Sequence, residues 1–130
     1  MLERFLDQLC ADLEFNAVPS RDETGKFPLR LNDSLTIFIE PLDPGFYFSA
    51  RLSTCPSRKL EELFTHLMQA NFLGQGTGGA CIGLSEDEKF LTLSHHLSYD
   101  MNYTDFKQRL EDFANFVDYW KTEINVYAVE

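Results

Sequence analysis

Leu2, Phe5, Leu6, Leu9 and Leu13 recur at three- and four-residue steps, the spacing that puts side chains on one face of an α-helix. They predict an amphipathic N-terminal helix running to about Phe15. A polar link containing Pro19 follows, and the period then changes. Phe27, Leu29 and Leu31 alternate with polar neighbours, Asn32-Asp33 offers a tight turn, and Leu35, Ile37 and Ile39 alternate again, which predicts a β-hairpin. The stretch from Pro41 to Gly45 breaks the second strand, and Phe46, Phe48, Ala50 and Leu52 form a third. Pro56-Ser57 suits a helix start with Ser57 as N-cap. Leu60, Leu63, Phe64, Leu67 and Met68 then share one helix face, and Asn71 with the glycines at 74, 76, 78 and 79 ends that helix in a mobile loop. Ala80, Ile82 and Leu84 alternate with Cys81 and Gly83, Ser85 to Glu88 is a polar turn, and Phe90 to Leu93 resumes the sheet. Asn102 is a candidate cap for a last helix, with Asp105 placing negative charge near its positive end. Along that helix Phe106, Leu110, Phe113, Val117, Trp120 and Ile124 make one continuous apolar stripe.

The predicted order is α-β-β-β-α-β-β-α, an α+β fold in which helices pack on an antiparallel sheet. Residues 1–130 read as a single domain, without internal repeat, low-complexity tract or linker. A chain of 130 residues buries roughly two-thirds of its unfolded surface, enough for a true core.

Composition adds two constraints. The net charge is −10 and the sequence pI is near 4.6, which repels phosphate backbones and anionic membrane faces. Direct nucleic-acid binding is not expected, nor is membrane insertion, because no apolar run approaches the ~20 residues that span a bilayer. Acidic positions among the first residues (Glu3, Asp7, Asp12 and Glu14) are unlike a signal peptide, and a cytoplasmic protein is expected. Twelve Phe is a high count for a small core, and a surface covered by a partner is one use for part of it beside an ordinary aromatic core. Cys10, Cys55 and Cys81 are odd in number and widely spaced, so neither a zinc site nor a disulfide framework is signalled.

No chemistry emerges from the candidate motifs. The glycine run from Gly74 to Gly79 has the look of a phosphate loop, but it leads from a helix into a strand and lacks the Lys-Ser/Thr pair. His95 and His96 are adjacent on a strand and point to opposite faces, which does not suit one metal ion. The acid pairs Asp22-Glu23 and Glu86-Asp87-Glu88 sit in exposed turns that cannot separate their pKa values. No catalytic residue, metal or cofactor is expected, and the chain does not read as an enzyme.

The stretch from Leu60 to Leu97 resembles the middle of the class I type III secretion chaperones, the Tir-chaperone or CesT-like family, and its chlamydial members in particular. Members of that family show a helix ending in "L..AN", here Leu67 to Asn71, then a small-residue loop, a strand, a turn and a strand. The predicted element order matches the family along nearly the whole chain. The resemblance implies a dimeric, cytosolic, non-enzymatic chaperone of a secreted effector or secretion-control protein. Such a protein holds the client's N-terminal segment extended and delivers it to the export apparatus. Pockets between the first helix and the first three strands would place Leu2, Phe5, Leu6 and Leu9 against the client, with Phe38 and Tyr47 on the sheet. The family's dimer contact transfers to Leu63, Phe64, Leu67, Met68, Ile82 and Leu84, in a homodimer or a heterodimer with another class I chaperone. The alternative is a regulatory protein that, free of cargo, binds a transcription regulator or the transcription machinery through protein contacts. A plain dimeric scaffold unrelated to secretion is a third class.

Overall fold

In the computed structural model, which describes residues 2–15 and 18–128, each apolar period closes into the expected kind of element. The order is α1 (Leu2–Asp12), β1 (Phe27–Asn32), β2 (Leu35–Pro41), β3 (Phe46–Thr54), α2 (Leu60–Asn71), β4 (Cys81–Leu84), β5 (Phe90–Leu97) and α3 (Tyr103–Ala128). The strands form one antiparallel sheet with spatial order β1-β2-β3-β5-β4. The β4–β5 hairpin is therefore folded back so that β5 pairs with β3 and β4 becomes an edge.

Alternation decides what each sheet face does. Ile37, Ile39, Phe46, Phe48, Ala50, Leu91 and Leu93 are all buried and meet Leu6 and Leu9 of α1, Leu63 of α2, and Phe106, Phe113 and Val117 of α3 in one core. Phe106 is its aromatic hub, with ring centroids 4.9 Å from Phe46, 5.3 Å from Phe5 and 6.0 Å from Phe48. On the other face Pro28, Thr36, Phe38, Tyr47, Ser49, Thr92 and Ser94 are half-buried and His96 is exposed. No described residue of that face has the full burial a covering helix would give.

The element ends show where local chemistry differs from the sequence reading. α1 stops at Asp12 rather than near Phe15, because Glu14 turns left-handed (φ 58°). The Phe15 N–H then bonds back to the Cys10 carbonyl at 2.9 Å, the Schellman pattern. α2 begins after Lys59, itself left-handed (φ 54°, ψ 34°) and making no side-chain cap bond, so Ser57 is not the N-cap. Asn102 does cap α3: its Oδ1 accepts the Asp105 N–H at 2.8 Å. The glycine loop after α2 is pinned rather than loose. Gly76 donates to the Ala70 carbonyl at 3.0 Å, and the Trp120 indole N–H donates to the Gly76 carbonyl at 2.9 Å. A Cβ on Gly76 would lie 2.9 Å from both Cα and Cβ of Ala70, so this contact requires glycine.

Candidate functional site

The richest apolar surface lies where α2 crosses the β4 edge. Leu60, Phe64 and Met68 follow one another at four-residue steps along α2, and Phe72 continues the row just past its end. The inner stripe of the same helix (Leu63, Leu67, Ala70) is spent on the core, so this second stripe faces outward. Phe64, Leu67 and Met68 on one side and Ile82, Leu84 and Leu91 on the other line a groove of about 280 Å3. Met68 is 73% exposed, Phe72 64%, Leu73 80% and Leu84 41%.

The structure thus brings together every sequence-assigned interface residue except Leu63, which is 0% exposed and belongs to the core. Leu67 and Ile82 form the groove's floor with little surface of their own. The sequence reading misses Phe72 and Leu73, although two large apolar residues entering a glycine-rich break are a signal in themselves.

Asn71 stands at the end of this groove. Its Nδ2 donates to the Ile82 carbonyl at 2.8 Å and its Oδ1 accepts the Ile82 N–H at 2.7 Å. One side-chain amide thereby holds both backbone groups of an edge-strand residue and fixes the distance between α2 and β4.

The residues assigned to a client from α1 are arranged differently. Leu2, Leu6 and Leu9 are 3%, 0% and 1% exposed. Leu6 and Leu9 pack into the core with the sheet and α3. Phe5 is half-buried among Phe46, Tyr103 and Phe106. Leu2 touches a cleft of about 240 Å3 whose other walls include Arg21, Asp43, Pro44 and Asp100.

Phe38 and Tyr47 lie opposite Ile37/Ile39 and Phe46/Phe48, as alternation requires, and the structure makes theirs the face that no described helix covers. Tyr47 is paired in register with His96, their rings tilted by 60° with centroids 4.8 Å apart, while Arg51 lies 4.0 Å over the Phe90 ring. His95, on the opposite side of β5, pairs with Phe48 and faces the core. Burial, with the Arg109 charge adding to it, holds the His95 pKa below its ordinary value. The bordering edge is β1. Among the described residues no backbone group of Phe27 to Leu31 is hydrogen-bonded outside the β1–β2 ladder.

Among the described residues the titratable groups make no reactive constellation. The Tyr103 hydroxyl donates to Asp12 at 2.7 Å, and burial, then that bond and the carboxylate's charge, push its pKa up to about 12. Burial raises the Cys10 and Cys55 thiols, the reverse of activation. Among the described residues no group of three or more His, Cys, Asp or Glu is placed to hold a metal ion. None of the described helices is long and apolar enough to cross a membrane.

Three helices on one face of a five-stranded antiparallel sheet, in the order α-β-β-β-α-β-β-α, are the fold of the type III secretion chaperones. The chain belongs to the Tir chaperone protein (CesT) family, whose model matches residues 4–121. A protein of Chlamydia pneumoniae is 25% identical over 128 residues, covering 97% of this chain and 98% of that one. Among solved structures, a chain of the ExsC–ExsE complex superposes with a TM-score of 0.74 at 16% identity, over 93% of this chain and 91% of the other. A chain of the complex between the Yersinia pestis type III secretion chaperone SycH and a stable fragment of YscM2 gives 0.69 at 14% identity, over 94% and 98%.

Proposed function

We propose that this chain is a non-enzymatic, cytoplasmic chaperone that binds the N-terminal segment of a type III secreted effector or secretion-control protein in extended form. It keeps the segment soluble and competent for export and delivers it to the secretion apparatus. The observation that carries this reading is a half-buried sheet face bearing Phe38 and Tyr47, uncovered by any described helix, beside an edge strand whose outer side is unbonded among the described residues. An extended segment gains main-chain hydrogen bonds from such an edge and specificity from alternate side chains seated on the neighbouring face. Family membership and a fold shared with proteins solved in complex with their partners support it. The α2–β4 groove is the proposed contact with a second chaperone chain, identical or of the same class.

The test is coexpression with N-terminal segments of proteins exported by the same organism's type III apparatus. A stoichiometric complex is expected in which the segment is protected from protease while remaining extended. Tyr47→Ala with Phe38→Ala should weaken that complex about tenfold or more, as loss of two aromatic anchors does, and leave the thermal transition nearly unchanged. Failure of every exported segment to bind would overturn the reading.

A further inference from the structure

A free edge strand is a template for any other strand, and this sheet has two edges. They are not equivalent. In an antiparallel ladder, alternate residues turn their N–H and C=O toward the partner strand and away from it. Ile82 is paired with Leu93 of β5, yet its N–H and C=O are both bonded to Asn71, so Ile82 is one of the outward-turned residues of β4. Two residues earlier, the same outward position falls on Ala80. Its N–H donates to the Thr77 carbonyl at 3.2 Å, and its carbonyl accepts the Thr77 hydroxyl at 2.5 Å. Thr77 is 1% exposed, a polar residue held within the core region. The outward hydrogen-bonding groups of Ala80 and Ile82 are therefore satisfied by side chains and backbone of the segment just before the strand. β1 has no such cover among the described residues.

We infer that Asn71, assisted by Thr77, closes the β4 edge at Ala80 and Ile82 against strand addition, leaving Leu84 as the one outward position of the strand without such a bond among the described residues. An incoming extended peptide is thereby directed to β1, and a second chaperone chain can meet the α2–β4 face only through side chains such as Phe64, Met68 and Leu84. The destination of the client rests on the chaperone reading above; the closure of the edge does not, and it is tested on the chain alone. An amide suits this role because it donates and accepts at once from one planar group. A carboxylate at position 71 could accept from the Ile82 N–H but not donate to its carbonyl.

The experiment compares the wild-type chain with Asn71→Ala and Asn71→Asp by light scattering over a hundredfold range of concentration and by amide exchange at Ile82. In Asn71→Ala the Ile82 amide should exchange about five- to tenfold faster, the factor for one lost hydrogen bond. The folded variant should also form assemblies heavier than the wild type. Asn71→Asp should keep the amide protected and assemble less. Adding Gly83→Lys should restore the wild-type mass, since a lysine on an edge strand opposes edge pairing. That position has room: a Cβ on Gly83 would meet only the Thr92 Oγ1, at 3.7 Å. If Asn71→Ala does not fold, Asn71→Asp with and without Gly83→Lys decides the matter. Wild-type mass in every folded variant, or heavier assemblies that Gly83→Lys leaves unchanged, would overturn the inference. Loss of the fold in both position-71 variants would also overturn it, making Asn71 a structural staple only.

Discussion

α1 and α2 have much the same apolar rhythm and opposite fates. α1 puts Leu2, Leu6, Leu9 and Cys10 out of solvent and sets Phe5 into the aromatic cluster around Phe106. Its C-terminal end is tied to α3 by the Tyr103–Asp12 hydrogen bond and by Lys107, whose Nζ lies 3.6 Å from Asp12. α2 also buries a stripe, Leu63, Leu67 and Ala70, but it has a second one in which Phe64 is half-buried against the core while Leu60 and Met68, with Phe72 just past the helix end, stay exposed. The difference is width. An apolar face of ordinary width is satisfied by one neighbour, whereas a helix apolar on two adjacent stripes has surface left over for a second. The surplus on α2, not the rhythm it shares with α1, is what makes it the proposed interaction surface.

The largest test of this contrast is Leu6→Asp. A charge at a fully buried position with no partner should unfold the domain or cost upwards of about 4 kcal/mol, read as a collapse of the thermal transition. A folded Leu6→Asp would mean that α1 detaches readily and that its apolar face is available to partners after all. Next comes Met68→Asp. At 73% exposure it should change fold stability by no more than about 0.5 kcal/mol, yet convert a dimer of the 15.0 kDa chain to monomer in light scattering. Unchanged mass would remove α2 from the interface.

The smallest effect belongs to Tyr103→Phe, which releases one tie on α1 at a cost of about 1 kcal/mol or less. Its pH signature is distinctive. The Tyr103 pKa is raised in the fold from 10.0 to about 12, so its contribution is fully present below pH 10 and disappears as pH rises toward 12. Wild type should lose stability across that interval more steeply than Tyr103→Phe. Parallel curves would show that the hydroxyl does not hold α1.

The element order is legible because periodicity changes cleanly from helical to alternating and back, and because Asn102 makes a cap of the usual chemistry. The faces of Phe38, Tyr47, His95 and His96 follow from alternation alone. What covers a face does not, since periodicity is a property of one element and burial a property of two. Leu6 and Leu63 therefore carry a partner-facing reading and a core reading alike in the sequence, and their burial comes only from the packed fold. The left-handed residues Glu14 and Lys59 carry no sequence signal, being side chains that seldom adopt positive φ. The strand order is also hidden, because a β4–β5 hairpin can join a three-stranded sheet at either edge and by either strand. Asn71 is visible as part of the "L..AN" ending, but its work as a two-way link depends on that strand order.

The chain contains a single tryptophan, and it stands at a junction. The Trp120 indole is 2% exposed, bonded to the Gly76 carbonyl, and lies 5.3 Å from His66 and 5.2 Å from Tyr119. Its emission is therefore a built-in optical gauge of whether α2, the glycine loop and α3 are still docked. A red shift that precedes the loss of helical circular dichroism would time the loosening of the platform behind the α2–β4 groove, with no label attached.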